Sequence, residues 1–585
     1  MNAGTTFILR LQPFKMMRIL AVLLWVAGHA AAASFGAQPV VDLPQGTISG
    51  FTNSTTLVEG FLGIPYVIPP VRFARANPVP KGYGDVNATK FGSACTQYKT
   101  ESYSPGSEDC LFVNVFRPAN TPKKAKLPVA IFIHGGSFTS GSGASYPGYT
   151  FVKAGVEAKK PFILVTLNYR LGVLGFLSGS LFEEQVRAGN ATLNAGYWDQ
   201  REAQLWVANN IAAFGGDPTK VTLWGQSAGA FSVGAQLTFK SNQDASQRPF
   251  RAAIMNSGVQ FPVTLPPTHP VLSQTYLNLL NYTGCPPTSS AAALACLRSV
   301  NASTLASANT RIVTNSSLTL GFLYALPVLD GDFFPLSPNK LLKMGKFADV
   351  PILVGDTNDE GTIFAPTGIS GNAGFLAIAS GLFASNVTAS VLAAAVVNKV
   401  SKLYPDVLPL GSPYLNPPTK ASQGVTNGSN PFFTKPKHNQ YKRIASLLGD
   451  IVFQANRRLL LRNVRSGTPA WSYIFRQIDH KDALSKGSAH GYDIPYLFGN
   501  QGSPALDSPA LYEPLSKMMQ RAWASFISDL DPRTADKLDW PKYNCRTGKM
   551  LFQFKGLNNT LTKDDYREES IAYLTSPDAA AIFSS

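Results

Sequence analysis

This sequence predicts an α/β fold: a central, mostly parallel sheet flanked by helices, with helical insertions between its units. Three observations carry the prediction. Residues 129–133 (VAIFI), 221–224 (VTLW) and 351–354 (PILV) are continuous apolar runs, which suits strands buried on both faces. Each run stops at a loop of glycine and polar residues: HGGSF, GQSAG and GDTNDEG. Finally, no long linker or internal repeat breaks the 585 residues. The soft rule of about 150 residues per domain therefore gives way to one large domain.

From the N-terminus, residues 1–33 read as a secretory signal peptide. They carry Arg10, Lys15 and Arg18 with no acidic residue, then an apolar stretch over 19–27, then Ala31-Ala32-Ala33. Met16 and Met17 are alternative starts. The apolar stretch is too short to cross a bilayer as a stable helix, and no later segment offers about 20 uninterrupted apolar residues. Residues 34–585 are thus expected to be a single secreted domain. Nine Asn-x-Ser/Thr sequons (Asn53, Asn87, Asn190, Asn281, Asn301, Asn315, Asn386, Asn427 and Asn558) fit a glycosylated surface. Five cysteines, Cys95, Cys110, Cys285, Cys296 and Cys545, suit an oxidising compartment.

The strand at 129–133 leads into His134-Gly135-Gly136-Ser137-Phe138, a loop whose backbone N–H groups suit a developing oxyanion. The strand at 221–224 leads into Gly225-Gln226-Ser227-Ala228-Gly229, which reads Gly-x-Ser-x-Gly. That pattern holds a serine on a tight strand-to-helix turn, where flanking side chains would not fit. The pattern alone is weak. The strand before it, the Phe-Gly-Gly-Asp-Pro turn upstream and the small residues Ala228, Gly229 and Ala230 after it strengthen it.

Segments 265–345 and 363–440, rich in Ala, Ser and Pro, interrupt the strand–helix alternation and read as insertions. Within the second, residues 391–403 have helical spacing and are expected to cover the sheet.

A serine hydroxyl needs a base and an acid to orient that base. His29 lies in the signal segment, His269 in a Pro-rich loop and His438 among Lys and Pro, while His480 sits in a charged stretch. His490, in a Gly/Ser loop (GSAHGYDIPYLFG) ahead of the apolar residues 494–498, is the best base. After the strand at 351–354 stand Asp356, Asp359 and Glu360, among which composition cannot choose. The chain order Ser, acid, His agrees with α/β-hydrolases and differs from the chymotrypsin and subtilisin orders.

These motifs resemble the type-B carboxylesterase/lipase family of α/β-hydrolases. The resemblance rests on residues 214–229 and on Glu108-Asp109-Cys110-Leu111-Phe112-Val113-Asn114-Val115. Phe61 to Tyr66, Asn168 to Gly172, Asp199-Gln200-Arg201 and Asn256-Ser257-Gly258 also match, so it extends from about residue 39 onward. Segments 441–450, 528–543 and 561–570 look most like secreted fungal lipases and sterol esterases. The resemblance implies Ser227 as nucleophile, Glu360 as acid and His490 as base, with oxyanion donors on Gly136, Ser137 and Ala228. It also implies disulfides Cys95–Cys110 and Cys285–Cys296, leaving Cys545 over. No cofactor or metal is implied.

Two positions depart from the family pattern. Ser137 replaces the third glycine of the His-Gly-Gly-Gly loop, and Gln226 replaces the glutamate usual beside the nucleophile. The disulfide loop that carries an amphipathic lid in the resembling lipases here has the polar sequence TQYKTESYSPGSED, too short and polar for a helical lid. Short to medium acyl esters are therefore the expected substrates, with a long-chain triacylglycerol lipase or sterol esterase as the alternative. Segments 261–270 and 363–385 could cover the site instead, leaving an interfacial contact open. A non-catalytic binding protein of this fold is disfavoured by the presence of all three catalytic groups. Cholinesterase activity is disfavoured because the first disulfide loop has no tryptophan. The net charge of +16 is scattered rather than gathered in a stripe with stacking aromatics, which argues against a nucleic-acid partner.

Overall fold

Fourteen strands are found among the described residues of the computed structural model, which are 38–97, 106–315, 326–383, 390–406, 440–478, 486–499 and 509–579. Contacts divide the chain into Met1–Pro39, of which only 38 and 39 are described, and Val40–Ser585, which carries everything below. The signal segment, His438 and His480 lie outside the described residues.

In chain order the strands are β1 (Val40–Leu43), β2 (Gly46–Ser49), β3 (Phe51–Asn53), β4 (Val58–Pro65), β5 (Val86–Asn87), β6 (Phe112–Pro118) and β7 (Leu127–Ile133). There follow β8 (Ile163–Leu167), β9 (Gly216–Gln226), β10 (Ala252–Asn256), β11 (Ile352–Thr357), β12 (Ala470–Phe475), β13 (Met550–Phe554) and β14 (Thr560–Lys563). Strands β1, β2 and β5 form a small sheet. The other eleven form one sheet in the order β14-β13-β12-β11-β10-β9-β7-β8-β6-β4-β3. From β8 to β13 neighbouring strands run parallel, and antiparallel strands close both edges. The sheet is mostly parallel, as expected of the α/β-hydrolase fold class. Helices cover it, among them Ala195–Asn210, Ala228–Thr238 and Pro509–Asp529.

The parallel strands are buried as their composition requires. Every residue of β8, β10, β11 and β12 is buried, and two apolar clusters sandwich the sheet. β9 starts at Gly216, five residues before the apolar run. Its early part is held by main-chain pairing of Gly216 to Leu127 across a register irregularity, so side-chain hydrophobicity carries no signal there. The helix over 391–403 is observed as Ser390–Leu403, but it packs on helices Gly371–Phe383 and Glu568–Leu574 rather than on the sheet. Both cysteine pairs are disulfide-bonded, with Cα–Cα distances of 4.8 Å for Cys95–Cys110 and 5.6 Å for Cys285–Cys296. Cys545 is free and half-buried. No helix among the described residues is long and apolar enough to cross a membrane.

Chain order reverses around β7: its successor β8 lies on one side, whereas β9 and the strands after it fill the other. In an open α/β sheet the crevice at such a switch point, beyond the strands' C-terminal ends, is where ligands bind. Ile133 and Gly225 pair across β7 and β9, so the loops that follow these two strands start level with each other.

Candidate active site

Ser227 occupies the turn between β9 and helix Ala228–Thr238 with φ 54° and ψ −123°. For a residue with a Cβ this is a sparsely populated backbone state, of the kind strand-to-helix nucleophile turns carry. The flanking glycines serve proximity. A Cβ on Gly225 would sit 2.2 Å from the Gly229 carbonyl oxygen, and one on Gly229 would sit 1.9 Å from that of Ile133. The unusual dihedral therefore belongs to the serine, and the glycines let strand and helix approach.

The turn is pinned from below. The Ser227 N–H donates to the Asn256 carbonyl at 3.0 Å. Asn256 accepts from Trp224 Nε1 and donates to Asp493 Oδ2, each at 2.8 Å, and Tyr473 OH also donates to Asp493 Oδ2. Burial pushes the Asp493 carboxyl above its ordinary value, opposed by these hydrogen bonds. Asp493 and Asn256 are site-supporting residues that composition did not single out. The available signals were the matched Asn256-Ser257-Gly258 segment and a carboxylate three residues after His490.

Glu360 and His490 meet from different parts of the chain. β11 ends at Thr357, and Glu360 opens the short 3-10 turn Glu360–Ile363. Its Oε2 lies 2.5 Å from His490 Nδ1, and its Oε1 accepts the Thr357 N–H at 2.6 Å. The Glu360 side chain is 1 % exposed and that of His490 7 %. Phe453 and Phe364 cover the imidazole, with ring centroids 4.7 and 5.2 Å away. The other two carboxylates are engaged elsewhere. Asp356 turns into the sheet's covering layer, 2.8 Å from Arg457 Nε, and burial pushes its carboxyl up. Asp359 accepts the Ser488 N–H at 2.9 Å.

The loop after β7 brings Gly136 (φ 106°) and Ser137 (φ 55°) to the same place. Among the described residues, no intramolecular acceptor takes the N–H of Gly136, Ser137 or Ala228. Unpaired donors beside a serine hydroxyl suit an oxyanion. His134 anchors this loop and is no base. It stacks on Tyr169 at 4.6 Å, its Nδ1 lies 2.8 Å from the Gly135 carbonyl, and burial lowers it to about 4, so it is neutral. Gln97, next to the first disulfide, accepts the Gly141 N–H at 2.8 Å and ties that bridge to the loop. Residues 98–105, most of the loop read as lidless, lie outside the described residues.

Ser227 and His490 line a cleft of about 400 Å³ with Gly136, Ser137, Ser145, Tyr146, Gln226 and, on its apolar walls, Ile363, Phe364, Ile494, Pro495 and Phe498. Of the two segments proposed as alternative covers, 261–270 packs inward through buried Phe261, Val263 and Leu265. The other contributes Ile363 and Phe364 to the rim, and Ile363 is 42 % exposed. His269 caps helix Pro270–Thr283 by accepting the Val271 N–H.

A serine on a tight strand-to-helix turn, an imidazole–carboxylate pair and a glycine loop around one crevice are an arrangement suited to acyl transfer. The sequence profile of the carboxylesterase family matches residues 37–574. The chain belongs to the carboxylesterase family. It is 34 % identical to Lipase 4 of Diutina rugosa, over 94 % of this chain and 97 % of that one. It is 33 % identical to Secreted lipase 1 of Botryotinia fuckeliana, over 92 % and 93 %. Among solved structures it is similar to Aspergillus niger EstA, with a TM-score of 0.76 and 28 % identity, over 93 % of this chain and 99 % of EstA. This carboxylesterase-family chain is thus a carboxylic ester hydrolase with an α/β-hydrolase fold.

Proposed function

We propose that the protein is a secreted serine esterase that works through an acyl-enzyme on Ser227, preferring esters of short to medium acyl chains. The observation that carries the reading is the convergence on one crevice of Ser227, of His490 backed by Glu360 at 2.5 Å, and of Gly136 and Ser137 with unpaired N–H groups, the unpaired N–H of Ala228 following directly on Ser227. Ester carbonyl oxygen enters among the N–H groups of Gly136, Ser137 and Ala228. Ser227 Oγ attacks the carbonyl carbon while His490 Nε2 takes its proton. The alcohol leaves with that proton, and water repeats the attack on the acyl-enzyme. Glu360 fixes the tautomer with hydrogen on Nδ1 and stabilises the imidazolium. Loss of one oxyanion donor would cost about 3 kcal/mol of transition-state stabilisation.

The cleft, of about 400 Å³, falls inside the roughly 300–1000 Å³ of ordinary small-molecule clefts, a size that suits esters of short to medium acyl chains. Secretion is supported by the signal pattern of residues 1–33, with residues 34–585 as the mature domain. A second reading, a long-chain lipase, is favoured by the relatives' names and by exposed Ile363 at the cleft rim. The two separate in rate against tributyrin concentration. The esterase reading gives saturation below the solubility limit, and a sharp rise only above that limit would overturn it.

A further inference from the structure

The residue beside the nucleophile, Gln226, is 6 % exposed, and its carboxamide lies between the glycine loop and the imidazole. Two glycines make room for it. A Cβ on Gly135 would come within 2.6 Å of Gln226 Oε1, and one on Gly491 within 3.3 Å of Gln226 Nε2. Gln226 Nε2 is 3.3 Å from His490 Nε2. The hydrogen placement follows from chemistry. Glu360 accepts only, so Nδ1 carries hydrogen, and in the neutral imidazole Nε2 is then an acceptor. The Gln226 amide N–H meets that lone pair. No hydrogen bond joins Ser227 Oγ to His490 among the described residues, so in this state the amide occupies the nitrogen the serine needs.

The geometry points to Gln226 as a positioning residue: its amide donates to His490 Nε2 in the resting enzyme, holds the imidazole as an unprotonated base, and yields that nitrogen to Ser227 Oγ when ester binds. An N–H donor favours the neutral imidazole and opposes the imidazolium, whose own Nε2–H would face it. A carboxylate at this position would do the opposite. The other charged and titratable groups around His490 are Glu360 at Nδ1 and Asp493 just ahead of the following helix; Asp359 lies behind them, bridged through its backbone to Ala489 with its carboxylate on the Ser488 N–H and Lys442 beside it. Asp356 acts one step further away, through Glu360. Glu360 and Asp493 already act on the base, so a neutral residue at 226 adds no further carboxylate at Nε2.

This inference rests on the proposed acyl-enzyme reading. It is tested on the full-length protein by measuring kcat/KM for p-nitrophenyl butyrate, and the rate of fluorophosphonate labelling, from pH 5 to 9. Wild type, Gln226→Glu and Gln226→Ala are compared. The ratio of Gln226→Glu to wild type should fall about tenfold between pH 8.5 and pH 5.5 in both assays, because an added carboxylate favours the protonated base. Whether the extra proton then sits on the imidazole or on the introduced carboxyl, Nε2 is occupied. For Gln226→Ala, where water replaces the donor, the ratio should fall about threefold. A residue that only fills space would change the rate by one factor at every pH. Ratios independent of pH in the variants that fold would overturn the role of Gln226 and leave the acyl-enzyme reading standing. Absence of labelling in folded wild type at every pH would overturn both.

Discussion

Glu360→Gln alters one atom at the position where two hydrogen-bond donors converge. Glu360 Oε1 accepts the Thr357 N–H at 2.6 Å, and Oε2 faces His490 Nδ1 at 2.5 Å. A glutamine has a single oxygen for these two donors. Turned toward His490, it sets its NH2 against the Thr357 N–H in a buried site, which costs about 1–3 kcal/mol for the unsatisfied donor. Turned toward Thr357, it sets its NH2 against Nδ1, and the imidazole responds by moving its proton to Nε2. The backbone donor cannot move and the imidazole proton can, so the second arrangement wins. His490 then presents N–H to Ser227 and cannot take its proton. In a serine protease triad the corresponding change lowers kcat about 10⁴-fold, so a loss of 10³- to 10⁴-fold is expected here. The assay is p-nitrophenyl butyrate hydrolysis at pH 8, with thermal unfolding as a check on the fold. A folded Glu360→Gln protein within tenfold of wild-type kcat would refute the reasoning.

Two further predictions concern what supports the site. Asp564 is fully buried and takes hydrogen bonds from Arg457 Nη1 and Nη2, Arg458 Nε and Tyr543 OH. The two guanidiniums hold it well below the usual carboxylate range against the opposing effect of burial, so its contribution is complete above about pH 4 and is lost as pH falls toward the folded value. Asp564→Asn should therefore cost about 3 kcal/mol at neutral pH, read from urea unfolding, with the gap to wild type narrowing at pH 3; an equal gap at both would contradict this. A Cβ on Gly361 would lie 1.8 Å from the Ala445 carbonyl oxygen and 2.7 Å from the Gly449 N, both backbone. Gly361→Ala should displace the neighbouring Glu360 and lower kcat about 100-fold, the scale of a 1 Å misplacement; activity within threefold of wild type would contradict it.

The central strands were legible because they are buried on both faces and so read as β-branched and apolar runs, as at 129–133 and 221–224. The first five residues of β9 were not legible, since backbone pairing rather than side-chain character holds them. The contrast among carboxylates is instructive. Asp356, Asp359 and Glu360 stand within five residues, and their roles are separated by partners about a hundred residues or more away: Arg457, Ser488 and His490. Local composition could only leave them as alternatives. The family resemblance chose Glu360, which is the one placed against the imidazole. Gln226 was visible as a departure from the family pattern, but its contact with His490 spans 264 positions and existed only in the fold. Asn256 stood in a matched segment without a role and Asp493 was not singled out, for the same reason.

The central claim is that Ser227 is the nucleophile of an acyl-enzyme. Its most direct measurement is fluorophosphonate labelling followed by intact mass and peptide mapping, on wild type and Ser227→Ala. The account predicts one phosphonate per chain, located on Ser227, and none on the variant. Folded wild type that takes up no label, or labelling that persists undiminished in Ser227→Ala, would contradict it.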